Sequence, residues 1–235
     1  MIEVQNLTKK YGDKVVVDSV SFVCQPGRVT GLVGPNGSGK STTMKMILGV
    51  IQPTSGASTV LGKPYSDLAP DPLKKVGALL DNVSPVPSRR AIDHLRWIAT
   101  ANNISQDRVN ETIELVGLGT ARRKRFGTFS LGMKQRLGIG VALLGQPQVL
   151  ILDEPMNGLD PDGIRWMRSL VTDLARAGST ILLSSHFMHE LEEVIDDVVI
   201  INSGRLVDAG SLGKIRAGHP NLESAYFSLV GGNNE

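Results

Sequence analysis

"TGLVGPNGSGKSTTMKMILGV" (residues 30–50) decides the fold. A short apolar run ends at Val33, a loop with three glycines follows, and a helical pattern then runs toward Gly49, with Pro53 beyond it as a stop. Strand, glycine loop and helix in that order belong to an α/β core. The loop "GPNGSGKST" (34–42) fits G-x-x-x-x-G-K-[ST], with the flanks that pattern requires. Gly34, Gly37 and Gly39 let the backbone curl so that successive N–H groups point inward at an anion. The following helix adds the positive end of its dipole. The whole run Gly34, Pro35, Asn36, Gly37, Ser38, Gly39, Lys40, Ser41 and Thr42 is the candidate phosphate cradle. Within it Lys40 supplies a point charge for β- and γ-phosphates, and Ser41 offers a hydroxyl to Mg²⁺. The bland alternative is a glycine-rich turn that binds nothing.

Downstream, "VLILDEP" (149–155) is a continuous apolar run, as expected of a strand buried on both faces of a parallel sheet. Asp153 stands at its end, placed to hold Mg²⁺. Glu154, one residue on, is placed to orient or deprotonate an attacking water. Two solvent-facing acids at a strand end are the alternative. "STILLSSH" (179–186) reads as the next buried strand and ends at His186, a candidate γ-phosphate contact or a merely structural histidine. Three candidate groups thus fall at the carboxyl ends of three strands, where open α/β sheets bind ligands.

The rest of the chain organises around these strands. "VVVDSVSFVCQPGRV" (15–29) alternates β-branched residues and stops at a Pro-Gly turn. From residue 82 to about 145 the pattern turns helical, with Val109, Ile113 and Val116 at helical spacing in the second of two segments. "LDPDGIRWMRSLVTDLARAG" (159–178) predicts a helix capped by Asp160, with Pro161 in its first turn and Gly178 at its end. Ile164, Met167, Val171 and Leu174 form its expected buried face. "DVVIINSGRLVDAG" (197–210) reads as a hairpin turning at Asn202–Gly204. Leu222, Tyr226 and Leu229 give the tail helical spacing. The expected division is one unit over 1–235: an α/β core (1–81 and 146–212), a helical insertion (82–145) and a tail helix (213–235).

Composition is that of an ordinary globular chain: 235 residues, 41% apolar, 20% charged. A net charge of +2 implies no strong general attraction to nucleic acid or to a membrane surface. The single cysteine, Cys24, excludes an internal disulfide framework and reads as a small buried strand residue. No apolar run approaches the roughly 20 residues a membrane-spanning helix needs. The N-terminus lacks a secretory pattern. A cytosolic protein is expected, and any membrane span must come from a partner.

Over nearly the whole chain, from Tyr11 to the tail, these segments resemble the ATP-binding cassette family, the nucleotide-binding subunits of ABC transporters. "GPNGSGKST" is similar to its Walker A, "LILDE" (150–154) to its Walker B with the catalytic glutamate, "GLDP" (158–161) to its D-loop, and His186 to its switch histidine. "FSLGMKQR" (129–136) resembles the signature segment. The resemblance implies a P-loop α/β fold with an antiparallel β subdomain and an inserted helical subdomain, and a Mg²⁺-dependent ATPase. Ser130 and Gly132, at a helix start, would close over the γ-phosphate held by a second subunit, so that two chains sandwich two ATP molecules. Gly132 would leave room for that approach. Tyr11 would stack on adenine, and Asp160 would belong to the nucleotide-facing D-loop.

Two positions depart from the family pattern. Leu131 and Met133 stand where it often has Gly and Gln. Asp81, in "VGALLDNVSP" (76–85), stands where it usually has a glutamine whose oxygen serves the metal or attacking water. An aspartate keeps an oxygen but adds charge, so Asp81 joins Ser41 and Asp153 as a candidate metal contact. With "NLESAYFSLVGG" (221–232), these variations resemble the ABC-2-type exporter branch, which includes drug, antibiotic and bacteriocin-resistance pumps. The implied partners are a second cassette, as a homodimer, and an integral membrane permease, with the chain peripheral on the cytoplasmic face and no nucleic acid. The basic run "RRKR" (122–125) could touch lipid phosphates or a partner's acidic group but reads as a solvated face, and "VSPVPSRR" (83–90) as a Pro-rich loop or a permease contact. A soluble non-transport cassette protein is the rival. It fits less well, because the chain has one phosphate loop and no long coiled-coil insertion. A plain phosphate-loop kinase or GTPase leaves the signature segment unexplained.

Overall fold

The computed structural model describes residues 1–80 and 86–231. Strands β1 (Ile2–Tyr11) and β2 (Lys14–Cys24) form an antiparallel hairpin, and β4 (Ser55–Val60) pairs with the other edge of β1. Between them lie β3 (Val29–Val33) and helix α1 (Lys40–Ile47). A short helix α2 (Pro72–Lys75) leads into β5 (Val76–Leu79). Three helices then follow before the next strand: α3 (Ala91–Ala101), α4 (Gln106–Leu115) and α5 (Leu131–Leu143). The chain continues through β6 (Val149–Leu152), α6 (Pro161–Arg176), β7 (Thr180–Ser185), α7 (Met188–Glu192), β8 (Asp197–Asn202), β9 (Arg205–Ser211), α8 (Leu212–Ile215) and α9 (Leu222–Gly231).

The main sheet has the order β5-β6-β7-β3-β8-β9, parallel throughout except for β9. Side chains alternate across it, as period-2 geometry demands. Leu150, Leu152, Ile181, Leu183, Val198 and Ile200 face one core with the helices, and Val149, Ile151, Leu182, Val199 and Ile201 face a second core under the three-stranded sheet. Both faces are therefore covered, which is why β6 and β7 read as unbroken apolar runs. Each fully buried Leu, Ile or Val there contributes roughly 1.5–3 kcal/mol. A charge at Leu150, 1% exposed, would break the layer.

Local signals match the elements. The hairpin β8–β9 turns through Ser203 and Gly204, at φ 49° and 81°, the conformation a two-residue turn requires. Helix α6 begins at Pro161, with Asp160 Oδ1 accepting the Gly163 N–H at 2.8 Å. Met167 and Val171 are fully buried on it, whereas Ile164 and Leu174 are only half-buried; Gly163 and Ala175 take the remaining close contacts. In the tail, Leu222 and Tyr226 are buried. Cys24 is buried, and burial pushes its thiol up to about 12. Among the described residues, no helix is long and apolar enough to cross a membrane.

Candidate active site

The strand order brings the candidate groups together. β7 lies between β6 and β3, so the glycine loop after β3, Asp153 after β6 and His186 after β7 emerge side by side at one sheet edge. Asn36, Gly37, Gly39, Lys40, Ser41, Thr42, Asp153 and Glu154 line one cleft of about 220 Å³, closed on one side by Val16. Gly39 is required in this loop: at φ 105° it places its Cα where an added Cβ would stand 2.9 Å from the Val16 carbonyl.

Lys40 is buried, and its ammonium donates to the Gly34 and Pro35 carbonyls at 2.7 and 3.1 Å. Burial lowers its pKa, while the charges of Glu154 and Asp153 act in the opposite direction. The side chain is thus held over the loop, in the same cleft as the two acids.

Asp153 is 2% exposed. Its Oδ1 accepts from the Ser184 hydroxyl, whereas its Oδ2 is buried with no partner among the described residues. A buried anionic oxygen without a donor is costly unless a cation meets it. With the Ser41 hydroxyl on the same cleft, the donor set fits a hard divalent cation that takes its other oxygens from water and phosphate. Asp81, the third candidate metal contact, lies outside the described residues.

Glu154 has φ 48°, a left-handed backbone that costs a non-glycine residue about 1 kcal/mol or more. Two side chains hold its peptide there. Its N–H donates to Ser184 Oγ at 2.9 Å, and its carbonyl accepts from Gln135 Nε2 at 3.0 Å. His186 Nδ1 stands 3.0 Å from Glu154 Oε2 but off the direction of a hydrogen bond, leaving both groups able to engage a third atom. Sequence reasoning missed Ser184 and the role of Gln135. The only signal was a pair of serines closing an otherwise apolar strand.

Four candidate positions stand apart from this cleft. Tyr11 ends β1 with 53% of its surface exposed, Lys9 Nζ lying 5.0 Å from its ring. Ser130 caps α5 by accepting the Met133 N–H at 3.2 Å. A Cβ on Gly132 would meet the Gly158 carbonyl of its own chain at 2.9 Å. Part of the need for glycine there is therefore internal, apart from any room it leaves for a facing nucleotide. Asp160 likewise spends one oxygen on the α6 cap. Both ends of α5 are tied: at its C-terminus Arg108 donates to the Leu143 and Leu144 carbonyls. Arg136 stacks 4.3 Å over Trp166 of α6 and bonds the Val116 carbonyl, while Trp166 Nε1 reaches Leu115 O.

A curled glycine loop, a buried lysine, a carboxylate with one oxygen open to a cation and a strained glutamate at adjacent parallel strand ends define a phosphate-loop nucleoside triphosphatase. Comparison with known proteins gives the family. Residues 17–157 match the ABC transporter family model. The chain is 36% identical over 230 residues to the lantibiotic transport ATP-binding protein SrtF of Streptococcus pyogenes, covering 98% of this chain and 97% of that one. It is 40% identical over 210 residues to the bacitracin transport ATP-binding protein BcrA of Bacillus licheniformis, covering 88% and 69%. A solved structure described as an ATP binding subunit of an ABC transporter superposes with a TM-score of 0.88 at 30% identity, over 98% and 99% of the two chains. The chain belongs to the ABC transporter family and is one of its ATP-binding ATPases.

Proposed function

We propose that this chain is the Mg²⁺-dependent ATPase subunit of an exporter for a peptide antibiotic or bacteriocin, working as a homodimer beneath a separate membrane permease. The observation that carries the hydrolytic part is the shared cleft: Lys40, Ser41, Asp153 and Glu154 line one volume of about 220 Å³. The names of the relatives, lantibiotic and bacitracin transport proteins at 36% and 40% identity, support the cargo class.

The loop N–H groups and Lys40 bind the β- and γ-phosphates, and Tyr11 offers its exposed ring to adenine. A divalent cation held by Asp153 and Ser41, with Asp81 as a further candidate contact, would neutralise charge on the phosphate oxygens. Glu154 accepts a proton from the attacking water as the water oxygen bonds to the γ-phosphorus and the bond to the β-phosphate oxygen breaks. Ser184 and Gln135 fix the peptide that aims this carboxylate. His186, in contact with Glu154, is positioned to bond a γ-phosphate oxygen.

Ser130, Gly132 and Asp160 lie outside the cleft of their own chain, which supports a role toward the nucleotide of a second copy. ATP then joins two cassettes, and hydrolysis releases them. The helices between β5 and β6 (82–145) are the proposed coupling unit to the permease on the cytoplasmic face, with residues 213–235 as a tail. Lys40→Ala should abolish ATP turnover, and the purified chain should bring down a polytopic membrane protein. Unchanged turnover would remove the site, and strong stimulation by RNA without a membrane partner would remove the transport role.

A further inference from the structure

Two basic runs that are far apart in sequence are joined in the fold. Arg90 and Arg125 are antiparallel bridge partners. The Phe126 N–H donates to Arg89 O at 2.9 Å, Ala91 N–H to Lys124 O at 3.2 Å, and Ile92 N–H to Arg122 O at 3.0 Å. Six cations therefore share one short ribbon: Arg89, Arg90, Arg122, Arg123, Lys124 and Arg125. Arg122 is committed to Asn110 Oδ1 and Arg89 to the Trp97 ring, 4.9 Å away. The other four are exposed and form no ion pair among the described residues.

Internal stability does not account for this arrangement. Like charges directly opposite on paired strands repel. No Asp or Glu occurs between Glu114 and Asp153, and Asp93, beside the ribbon, pairs with Arg96 at 3.4 Å rather than with any of the six. The chain carries only a small net charge, so the rest of it is acid-rich and the ribbon is a local positive pole. Beside it, Trp97 and Val86 are 59% and 51% exposed. Clustered cations flanking an exposed indole form the pattern of a surface that meets lipid headgroups.

We propose that the ribbon 89–90/122–125, with Trp97, is a docking surface for the anionic phospholipid headgroups of the membrane under which the subunit works. The guanidinium groups pair with headgroup phosphates, and the indole sits at the level where headgroup meets acyl chain. The contact orients the cassette independently of any protein partner and of nucleotide.

The test uses the intact purified chain and sedimentation with vesicles of phosphatidylcholine alone or with phosphatidylglycerol. Wild type should bind only the phosphatidylglycerol vesicles, less strongly as salt rises. Arg123→Gln/Lys124→Gln/Arg125→Gln, all at exposed positions, should weaken that binding about 100-fold while basal ATP turnover stays unchanged. Arg90→Gln alone should weaken it about fivefold. Equal binding to both vesicle types, or a triple variant that binds like wild type, overturns the proposal. So does a wild type that ignores vesicles while the triple variant loses a polytopic membrane subunit, because the ribbon would then read an acidic protein segment. Loss of ATPase function altogether would leave the vesicle result standing, so the two claims fail separately.

Discussion

Ser184→Ala should lower both stability and turnover, for separable reasons. The hydroxyl is fully buried, accepts the Glu154 N–H at 2.9 Å and donates to Asp153 Oδ1. Without it a buried N–H is stranded, costing about 1–3 kcal/mol, and a hydrogen bond to a carboxylate worth about 1.5–3 kcal/mol is lost. Local relaxation returns part of this, leaving about 3 kcal/mol. For a chain of this length that is a drop in Tm of about 6–12 °C, readable by calorimetry or fluorescence. Among the described residues the left-handed Glu154 peptide then keeps only Gln135 as a side-chain tether. If half of the lost energy had held the carboxylate on its water, turnover falls about tenfold. A double-mutant cycle separates the two effects. In a Glu154→Gln background, Ser184→Ala should still cost the stability but no further turnover. A variant with unchanged Tm and unchanged turnover would refute the role drawn from this geometry, and equal turnover losses in both backgrounds would refute action through Glu154.

Gly132→Ala should destabilise the nucleotide-free chain by about 1–3 kcal/mol, because the methyl meets the Gly158 carbonyl at 2.9 Å; a melting curve identical to wild type would mean that only the facing nucleotide needs the glycine. Arg108→Ala should fray the end of α5 and cost about 1–2 kcal/mol in denaturant unfolding, since two carbonyls lose their donor. Cys24 should resist thiol reagents at neutral pH until denaturant is added. Its folded pKa is raised, so the stability linked to it is complete below 9.0 and declines as pH climbs toward about 12, by up to about 1.4 kcal/mol per unit. Cys24→Ala should flatten that alkaline loss in a stability–pH series.

Much of this site was legible in the sequence because its parts are local. A phosphate loop is one contiguous strand-loop-helix, and Asp153, Glu154 and His186 are marked by apolar runs that end where chemistry begins. The hairpin at Ser203–Gly204 and the α6 cap at Asp160 carry their own turn and cap residues. What stayed hidden depends on contacts between distant segments. Nothing in "LLSSH" says that Ser184 reaches both Asp153 and Glu154, and nothing in "MKQRL" says that Gln135 reaches the Glu154 carbonyl. Gly132 looked like an opening for a ligand, yet its first neighbour is the carbonyl of Gly158. The run at 122–125 is a solvated face, as read, but nothing in it says that pairing with Arg89 and Arg90 raises four cations to six in one place.

The account rests on ATP bridging two copies of the chain, and disulfide trapping tests that most directly. With Cys24 buried, Ser130→Cys and Asn36→Cys can be made in Glu154→Gln chains, mixed, and oxidised with and without Mg·ATP. The account predicts a crosslink between chains that forms only with nucleotide. Absence of that crosslink while ATP is demonstrably bound, or its formation within a single chain, would contradict it.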